Sequence, residues 1–561
     1  MGRFLERHFV WNRLAGTLAL PSELARYSLR NPKPETRHPL IHSATCLLSI
    51  LLTIGITLTA PASPDDIIDL SDLRLRLQCA VAETTVTLDA AEELMVRSGE
   101  RQLALPAGSY TFRLRAGSSP RQQRFHLMTK TFKPGQESEM QAYAQEWRAK
   151  GYTPEIVTVG RRVRVGSQVY DNRDLTVSMA RVATQAEADA FKKRLEQVPA
   201  WAWIRAEAIA PGKGVIDVLN AAGKRVAEVQ APITLNSLLP VKVRDVDTGF
   251  WKSKVADHQF PPPIVLEVGA KANLEVYGEW PLEQYLMGVL PAEMPPTWPT
   301  EAVKAQAVAA RSEVIAHLGG KHALEGFDFC VLECCRAYVG EQGRHPASDA
   351  AVRATEGQVL VAQGRVVPTV FSATCGGFTE NNDTVWSGPP NPALRGVPDL
   401  AEGRLSDVNA YGAGKWVTSR PPAWCRGDTQ YFRWTKRLTK AEITALVNKQ
   451  HKVGAVRRIE LGDRGVSGRL NYVKVTGTAG NAVIRKELPI RLAFGGLPSA
   501  MFTVEVEGAS QQPTAFVFRG AGRGHGVGLC QNGARGMAEA GKRHTDILRH
   551  YFSGARIEGS Q

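Results

Sequence analysis

Beyond residue 60 this 561-residue chain has no uncharged apolar run long enough to cross a bilayer, which excludes a multi-span helical membrane protein. It has no short-period repeat, so solenoids and propellers are excluded as well. The dinucleotide fingerprint G-x-G-x-x-G is missing: Gly520, Gly522, Gly524, Gly526 and Gly528 recur every second residue instead, which disfavours a nucleotide site. Acidic charge is in deficit, with 55 Asp and Glu against 69 Lys and Arg. The resulting net charge of +14 favours an anionic partner, and nucleic acid, acidic lipid and acidic wall polymers all qualify. Cysteine is sparse, eight in all. Bulk disorder is excluded by a composition of 43% hydrophobic and 22% charged residues. What remains is a folded chain long enough for roughly three or four units with separate cores.

The one long apolar run, residues 40–60, carries no Lys, Arg, Asp or Glu. Arg26, Arg30, Lys33 and Arg37 precede it and Asp65 and Asp66 follow, an asymmetry that puts the N-terminus inside and the bulk outside. Ala60-Pro61-Ala62 has the small residues of a signal-peptidase site, so both a membrane anchor and a cleaved signal stay open. Cys46, in the middle of the run, reads as a plain apolar residue. An extracytoplasmic location, periplasm or cell wall, makes nucleic acid a poor partner and allows cysteines to be oxidised. Wall polymer becomes the leading partner, with the membrane contacted through residues 40–60.

The fold class expected is α+β and multi-domain. Residues 1–66 form a leader with the anchor or signal, and 68–118, where LRLRLQCAVAETTVTLDA alternates in strand fashion, form a β-rich unit. Residues 124–206 read as a ferredoxin-like βαββαβ module, with RFHLMTKTF, PEIVTVG, RRVRVGSQVYD and AWIRAE as its strands. Tyr143 with Trp147, and Phe191 with Leu195, give its two helices apolar faces at i, i+4. A second β-rich stretch, 207–280, is expected to pack with the first, leaving the module as an insertion. A mixed α/β catalytic domain follows at 275–556.

Chemistry concentrates after residue 280. PLEQYLMGVL is an amphipathic helix, PAEMPPTWP a rigid turn, and EAVKAQAVAARSEVIAHL a second helix rich in Ala, so that another backbone can approach it. Glu293 stands at the junction, and Lys304 and Arg311 lie two turns apart on one face of the second helix. Burial there would raise the Glu293 pKa and suit an acid, whereas the two cations would lower it and suit a fixed anion. A plain salt link between the helices fits the same residues.

PLEQYLMGVLPAEMP with EAVKAQAVAAR, then TVFSATCGGFTENNDTVW, LRGVPD, FVFRGAGRGHGVGLCQNGARGMAEAG and ILRHYFSGA, resembles the stage II sporulation protein D and amidase-enhancer family, whose members act on peptidoglycan. The resemblance implies a lytic transglycosylase that cuts glycan strands freed of stem peptides, with Glu293 as the catalytic residue and Lys304 and Arg311 as required cations. Its alternative implication is a non-catalytic amidase enhancer that binds the wall and stimulates a cell-wall amidase. The order of elements in 124–206 resembles the SPOR module, which binds stem-free glycan. A transglycosylase needs one carboxylate, while hydrolysis needs a second, for which Glu283, Glu301 and Glu380 are the candidates.

Cys330, Cys334 and Cys335 lie close together and Cys375 stands in ATCGG. The spacing resembles a family segment that binds zinc through two cysteines and a histidine. Cys334 takes the histidine's place here, Cys375 is the candidate fourth ligand, and such a closed site would be structural. A disulfide is the competing reading, and Cys79 with Cys425 is a further possible pair. The family's histidine before the ATCGG turn is Ser372 here. Alternate glycines in 520–528 predict an extended strand with one bare face, where His525 and Gln531 either meet sugar hydroxyls or pack beneath the helix NGARGMAEAG.

Overall fold

The computed structural model describes residues 63–559 apart from 199–200, 248, 250–253, 332–334, 404 and 510–511. The apolar run 40–60 and Cys334 lie outside the described residues. Among those described, no helix is long and apolar enough to cross a membrane.

The chain is α+β and built from several sheets. Alternation sets the first of them: along Arg74–Ala82, Leu75, Leu77 and Cys79 are buried while Arg74 is exposed. A six-stranded sheet has the order Arg225–Gln230, Val215–Asn220, Gly108–Leu114, Thr85–Ala90, Val241–Asp247, Val255–Phe260. A seven-stranded sheet runs Phe329–Cys330, Arg74–Ala82, Leu274–Pro281, Ile264–Val268, Ile233–Asn236, Leu94–Ser98, Arg101–Leu105. Strands from before and after residues 122–210 interleave in both sheets and share one core. The intervening segment is therefore inserted between halves of a single β structure.

That segment has its own core, built on Leu127, Phe132, Trp147, Val177 and Leu195. Its four antiparallel strands lie in the order Trp203–Ala210, Gln122–Phe132, Asp174–Val182, Glu155–Val159, which is fourth, first, third, second in the chain. Helices α1 (Glu137–Ala149) and α2 (Gln185–Leu195) connect them, and Thr184 and Glu187 form a capping box at the start of α2. One strand differs from the sequence reading. RRVRVGSQVYD is not the third strand but a separate hairpin, Arg162–Val165 with Gln168–Asp171, which pairs with Ile67–Asp69. The third strand is Asp174–Val182, whose central residues Thr176, Val177, Ser178 and Met179 are buried. Gly166 and Ser167 turn the hairpin too early for it to span the sheet.

Within 275–556, expected as one catalytic domain, part of the chain builds a core of its own. Trp434, Ile443, Val473, Phe494, Phe502, Phe516 and Phe518 pack together under the sheets Trp434–Thr439/Gln512–Gly520/Phe502–Ala509 and Val456–Leu461/Tyr472–Gly477/Gly480–Arg485.

Candidate active site

The strand Leu274–Pro281 runs straight into helix α3 (Leu282–Glu293). Pro291 sits in the last turn of α3, Met294 is extended, and Pro295 and Pro296 forbid a further turn, so Glu293 is the last helical residue. Helix α4 (Thr300–Ala316) begins after Pro299. Ala302, Ala305, Ala307, Ala309 and Ala310 are all fully buried, and α4 is enclosed on nearly every side, as its small side chains permit. A stack of aromatic rings locks α3 to the β structure. Tyr338 lies 5.7 Å from Tyr285, 5.8 Å from Trp280 and 6.2 Å from Phe260, all near-parallel. Gly288 makes room for it, since a Cβ there would lie 2.3 Å from the Tyr338 ring.

Glu293 is buried, and its surroundings come from far along the chain. The Gln531 side-chain amide donates to the Glu293 carbonyl oxygen at 2.7 Å and to Gln306 Oε1 at 3.1 Å. Gln531 is thus an internal brace for the end of α3 and not a surface contact for sugar. The helix it opens, Gln531–Glu539, also sets the Arg535 guanidinium 5.4 Å over the Trp298 ring in the junction turn.

The two cations of α4 occupy different levels. Arg311 is fully buried and grips Glu283 with both fork nitrogens at 2.7 and 2.6 Å, and donates further to the carbonyls of Val352 and Gln358, each at 3.2 Å. Glu283 is in the first turn of α3 and Glu293 in the last, about 15 Å apart along the helix. Arg311 therefore pins the far end of α3 and is sealed from substrate, contrary to a direct role in holding Glu293 or positioning glycan. Lys304 donates to Glu301 Oε1 at 2.8 Å, and Glu301 Oε2 accepts from the backbone N–H of His544 at 2.8 Å, with His544 Nδ1 also at 2.8 Å. His544 Nε2 lies 3.1 Å from Gln358 Oε1. His544 is a site neighbour that no sequence motif flagged, because its partner lies 243 residues away.

Burial pushes the Glu301 carboxyl up, but its bonds to Lys304 and His544 outweigh that and hold it at about 2. Its folded pKa is therefore depressed, so the stabilisation is complete above the unfolded value near 4.3 and fades as pH falls toward 2. Glu301→Gln is expected to lower the urea midpoint by a constant amount from pH 5 to 8, with the gap to the parent closing between about pH 4.3 and 2. A pH-independent gap would contradict this.

Glu380 is also committed: it is fully buried, accepts from the Ser467 hydroxyl at 2.6 Å and from the Asn381 N–H at 2.8 Å, and is held above the usual carboxylate range by burial. Each of the three candidate second carboxylates thus already has a structural partner.

The glycine-rich segment differs from the extended strand expected. Gly522, Gly524, Gly526 and Gly528 all have left-handed φ, from +68° to +91°. A Cβ on Gly526 would lie 2.2 Å from the buried Arg469 guanidinium, and one on Gly528 would lie 2.2 Å from the Val370 carbonyl oxygen. The segment is close packing, not an open face for polymer. His525 has both ring nitrogens engaged, Nε2 with the Phe371 carbonyl at 2.9 Å and Nδ1 accepting from the Val527 N–H at 3.1 Å, and its ring lies 5.0 Å from Trp386.

The cysteines separate into two groups, so the four-ligand set Cys330, Cys334, Cys335 and Cys375 is not assembled as expected. Cys330 and Cys335 lie with Sγ atoms 3.4 Å apart, and His322 completes their cluster. Cys375 joins Asp399, Cys425 and Cys530 instead. The physical reason is pairing: Cys330 ends a strand on Arg74–Ala82, whereas Cys375 follows Phe371–Ser372, which pairs with Leu529–Cys530. Cys425 therefore faces Cys375, 3.7 Å away, and not Cys79, whose thiol donates to the Leu77 carbonyl. Ser372, in the place of the family's histidine, is buried on that short strand.

A family model described as stage II sporulation protein matches residues 270–361, and a domain of unknown function (DUF8618) matches 380–528. An uncharacterized protein of Brachyspira hyodysenteriae is 31% identical over 283 residues, 50% of this chain and 68% of that protein. The amidase enhancer of Bacillus subtilis is 26% identical over 293 residues, 48% of this chain and 40% of its own length. Stage II sporulation protein D of Bacillus subtilis is 27% identical over 323 residues, 54% of this chain and 82% of that protein. The 270–361 match spans α3, the Glu293 turn and α4 whole, and with these relatives it shows that the chain belongs to the stage II sporulation protein D family.

Proposed function

We propose that the chain is a peptidoglycan lytic transglycosylase in which Glu293 alone serves as acid and base. The supporting observation is that the family segment ends α3 on Glu293, while Glu283, Glu301 and Glu380 are each tied to a structural partner. The protonated Glu293 carboxyl gives its proton to the glycosidic oxygen as the C1–O bond breaks. The sugar's own 6-hydroxyl oxygen then bonds to C1, and its proton returns to Glu293, leaving a 1,6-anhydro ring and a regenerated acid. No water is consumed, so no second carboxylate is needed. Gln531 and Gln306 fix the end of α3, Arg311 fixes its start, and Lys304, a quarter exposed, is the cation placed to meet an anionic sugar.

The substrate is glycan freed of stem peptides, outside the cytoplasmic membrane, with residues 40–60 as anchor or signal. The inserted βαββαβ segment would act as a SPOR-like glycan holder. Its exposed Trp201 lies 5.0 Å from Trp203 and offers an apolar face for sugar rings. The pair Cys330 and Cys335 with His322 offers two thiolates and an imidazole, donors that suit a structural zinc. Such an ion would brace the loop that carries Tyr338.

A second reading, a non-catalytic enhancer of a wall amidase, draws on the likeness to the amidase enhancer and on the burial of Glu293. Product analysis separates the two. Purified chain incubated with stem-free glycan is expected to release 1,6-anhydro ends, and binding without any cleavage would favour the enhancer. In the enzyme reading Gln531→Leu should cut turnover roughly 10-fold to 100-fold while leaving glycan affinity unchanged, because it frees the glutamate's backbone and not the substrate. Equal losses of affinity and turnover would contradict a bracing role.

A further inference from the structure

Cys375, Asp399, Cys425 and Cys530 are fully buried and come from four separate stretches of chain, yet their ligand atoms all lie within 4.8 Å of one another. Cys375 Sγ is 3.7 Å from Cys425 Sγ and 3.2 Å from Asp399 Oδ2. A tetrahedral zinc with Zn–S near 2.3 Å and Zn–O near 2.1 Å would hold sulfur pairs about 3.8 Å apart and sulfur–oxygen pairs about 3.6 Å apart, so small shifts would seat the ion.

The Cys375 thiol donates to Asp399 Oδ2, and further donors converge on the sulfurs. Backbone N–H groups point at sulfur: Cys375 and Gly533 donate to Cys530 Sγ at 3.1 and 3.3 Å, and Gly377 donates to Cys375 Sγ at 3.4 Å. Cys530 also caps the nine-residue helix Gln531–Glu539, whose dipole favours negative charge there. The Tyr551 hydroxyl donates to Asp399 Oδ1, and the Cys425 N–H donates to Oδ2 at 3.2 Å, an outer shell that orients the carboxylate. The Arg433 guanidinium, bonded to the Gly376 carbonyl at 3.1 Å, brings positive charge beside the group. A carboxylate sealed among three sulfurs is expensive without a cation, and a disulfide would use only two of them.

We propose that these four side chains bind one structural zinc ion, a Cys3Asp site separate from the Cys330–Cys335 group. Binding displaces the thiol protons, and all four positions are filled by protein, so the ion holds structure and has no open place for substrate. It ties the turn at 375, the stretch at 399 and the turn at 425 to the first residue before Gln531. It thereby fixes the brace on Glu293. The proposal stands apart from the reading of Glu293 as an acid.

The test uses the full chain, purified without added reductant. Zinc is counted by elemental analysis, and each cysteine's alkylation is mapped by peptide mass with and without a zinc chelator. Cys375, Cys425 and Cys530 are expected to be protected together and to become reactive together as zinc leaves. In a Cys330→Ser/Cys335→Ser background one zinc per chain should remain, and adding Cys425→Ser should remove it. X-ray absorption of that single zinc should show three sulfur neighbours and one oxygen. A Cys375–Cys425 disulfide in the non-reduced map, or protection of the three thiols that chelation leaves untouched, would overturn the proposal, and the mapping needs no variant to fold.

Discussion

Glu293→Gln is expected to lower the yield of 1,6-anhydro ends by about 100-fold to 10,000-fold, the usual worth of a positioned general acid and base, while binding of stem-free glycan is retained. The substitution keeps shape and burial and removes only the proton that must reach the glycosidic oxygen. Because Glu293 is held through its backbone by Gln531, the amide side chain should occupy the same place, so a fall in activity reports chemistry and not misplacement. Far-UV spectra and the urea midpoint should match the parent. A variant that cleaves at a tenth of the parental rate or better would shift the proton-transfer role to another group.

Arg311→Met is expected to destabilise the fold by about 3–5 kcal/mol, the penalty for removing one member of a buried ion pair. It strips Glu283 of both bonds and removes the guanidinium donor from the carbonyls of Gln358 and Val352, of which Val352 keeps the Thr355 N–H and hydroxyl. Pairing it with Glu283→Met should recover much of the loss, since the surviving carboxylate is what is costly. Arg311→Lys should behave more like Met than like Arg, because one ammonium cannot reproduce the fork. Denaturant titration of the three variants checks this. A change below about 1 kcal/mol for Arg311→Met would show the pair to be dispensable. With the expected destabilisation, loss of activity in Arg311 variants follows from a displaced α3 and not from a lost substrate contact.

Local chemistry made the junction readable. Apolar spacing gave α3 and the alanines let neighbours close on α4, but the helix expected to stop at Pro291 runs on to Glu293, where Pro295 and Pro296 end it, so the carboxylate expected in a turn is the last helical residue. Its neighbours were not legible, because they come from afar. Gln531 reaches it across 238 residues and His544 reaches Glu301 across 243. The family resemblance offered Cys375 as a fourth ligand beside Cys330, Cys334 and Cys335, but strand pairing sends Cys375 to Cys530, 155 residues on. Asp399 belongs to no metal motif and gained meaning only from the thiols around it. In the glycine-rich tail a period of two was the right pattern with the wrong cause: left-handed turns under a buried arginine, not an extended strand. The hairpin RRVRVGSQVYD shows the same limit, since alternation marks a strand and says nothing of which sheet it joins.

Whether one carboxylate cuts glycan without water is read directly from cleavage of stem-free glycan in water enriched in oxygen-18. Product ends closed by the sugar's own 6-hydroxyl carry no label, and mass spectrometry should find new muramyl termini at natural isotopic abundance, each lighter by one water than a reducing end. Labelled reducing ends would mean that water attacks C1, that a second carboxylate assists, and that the single-glutamate account is wrong.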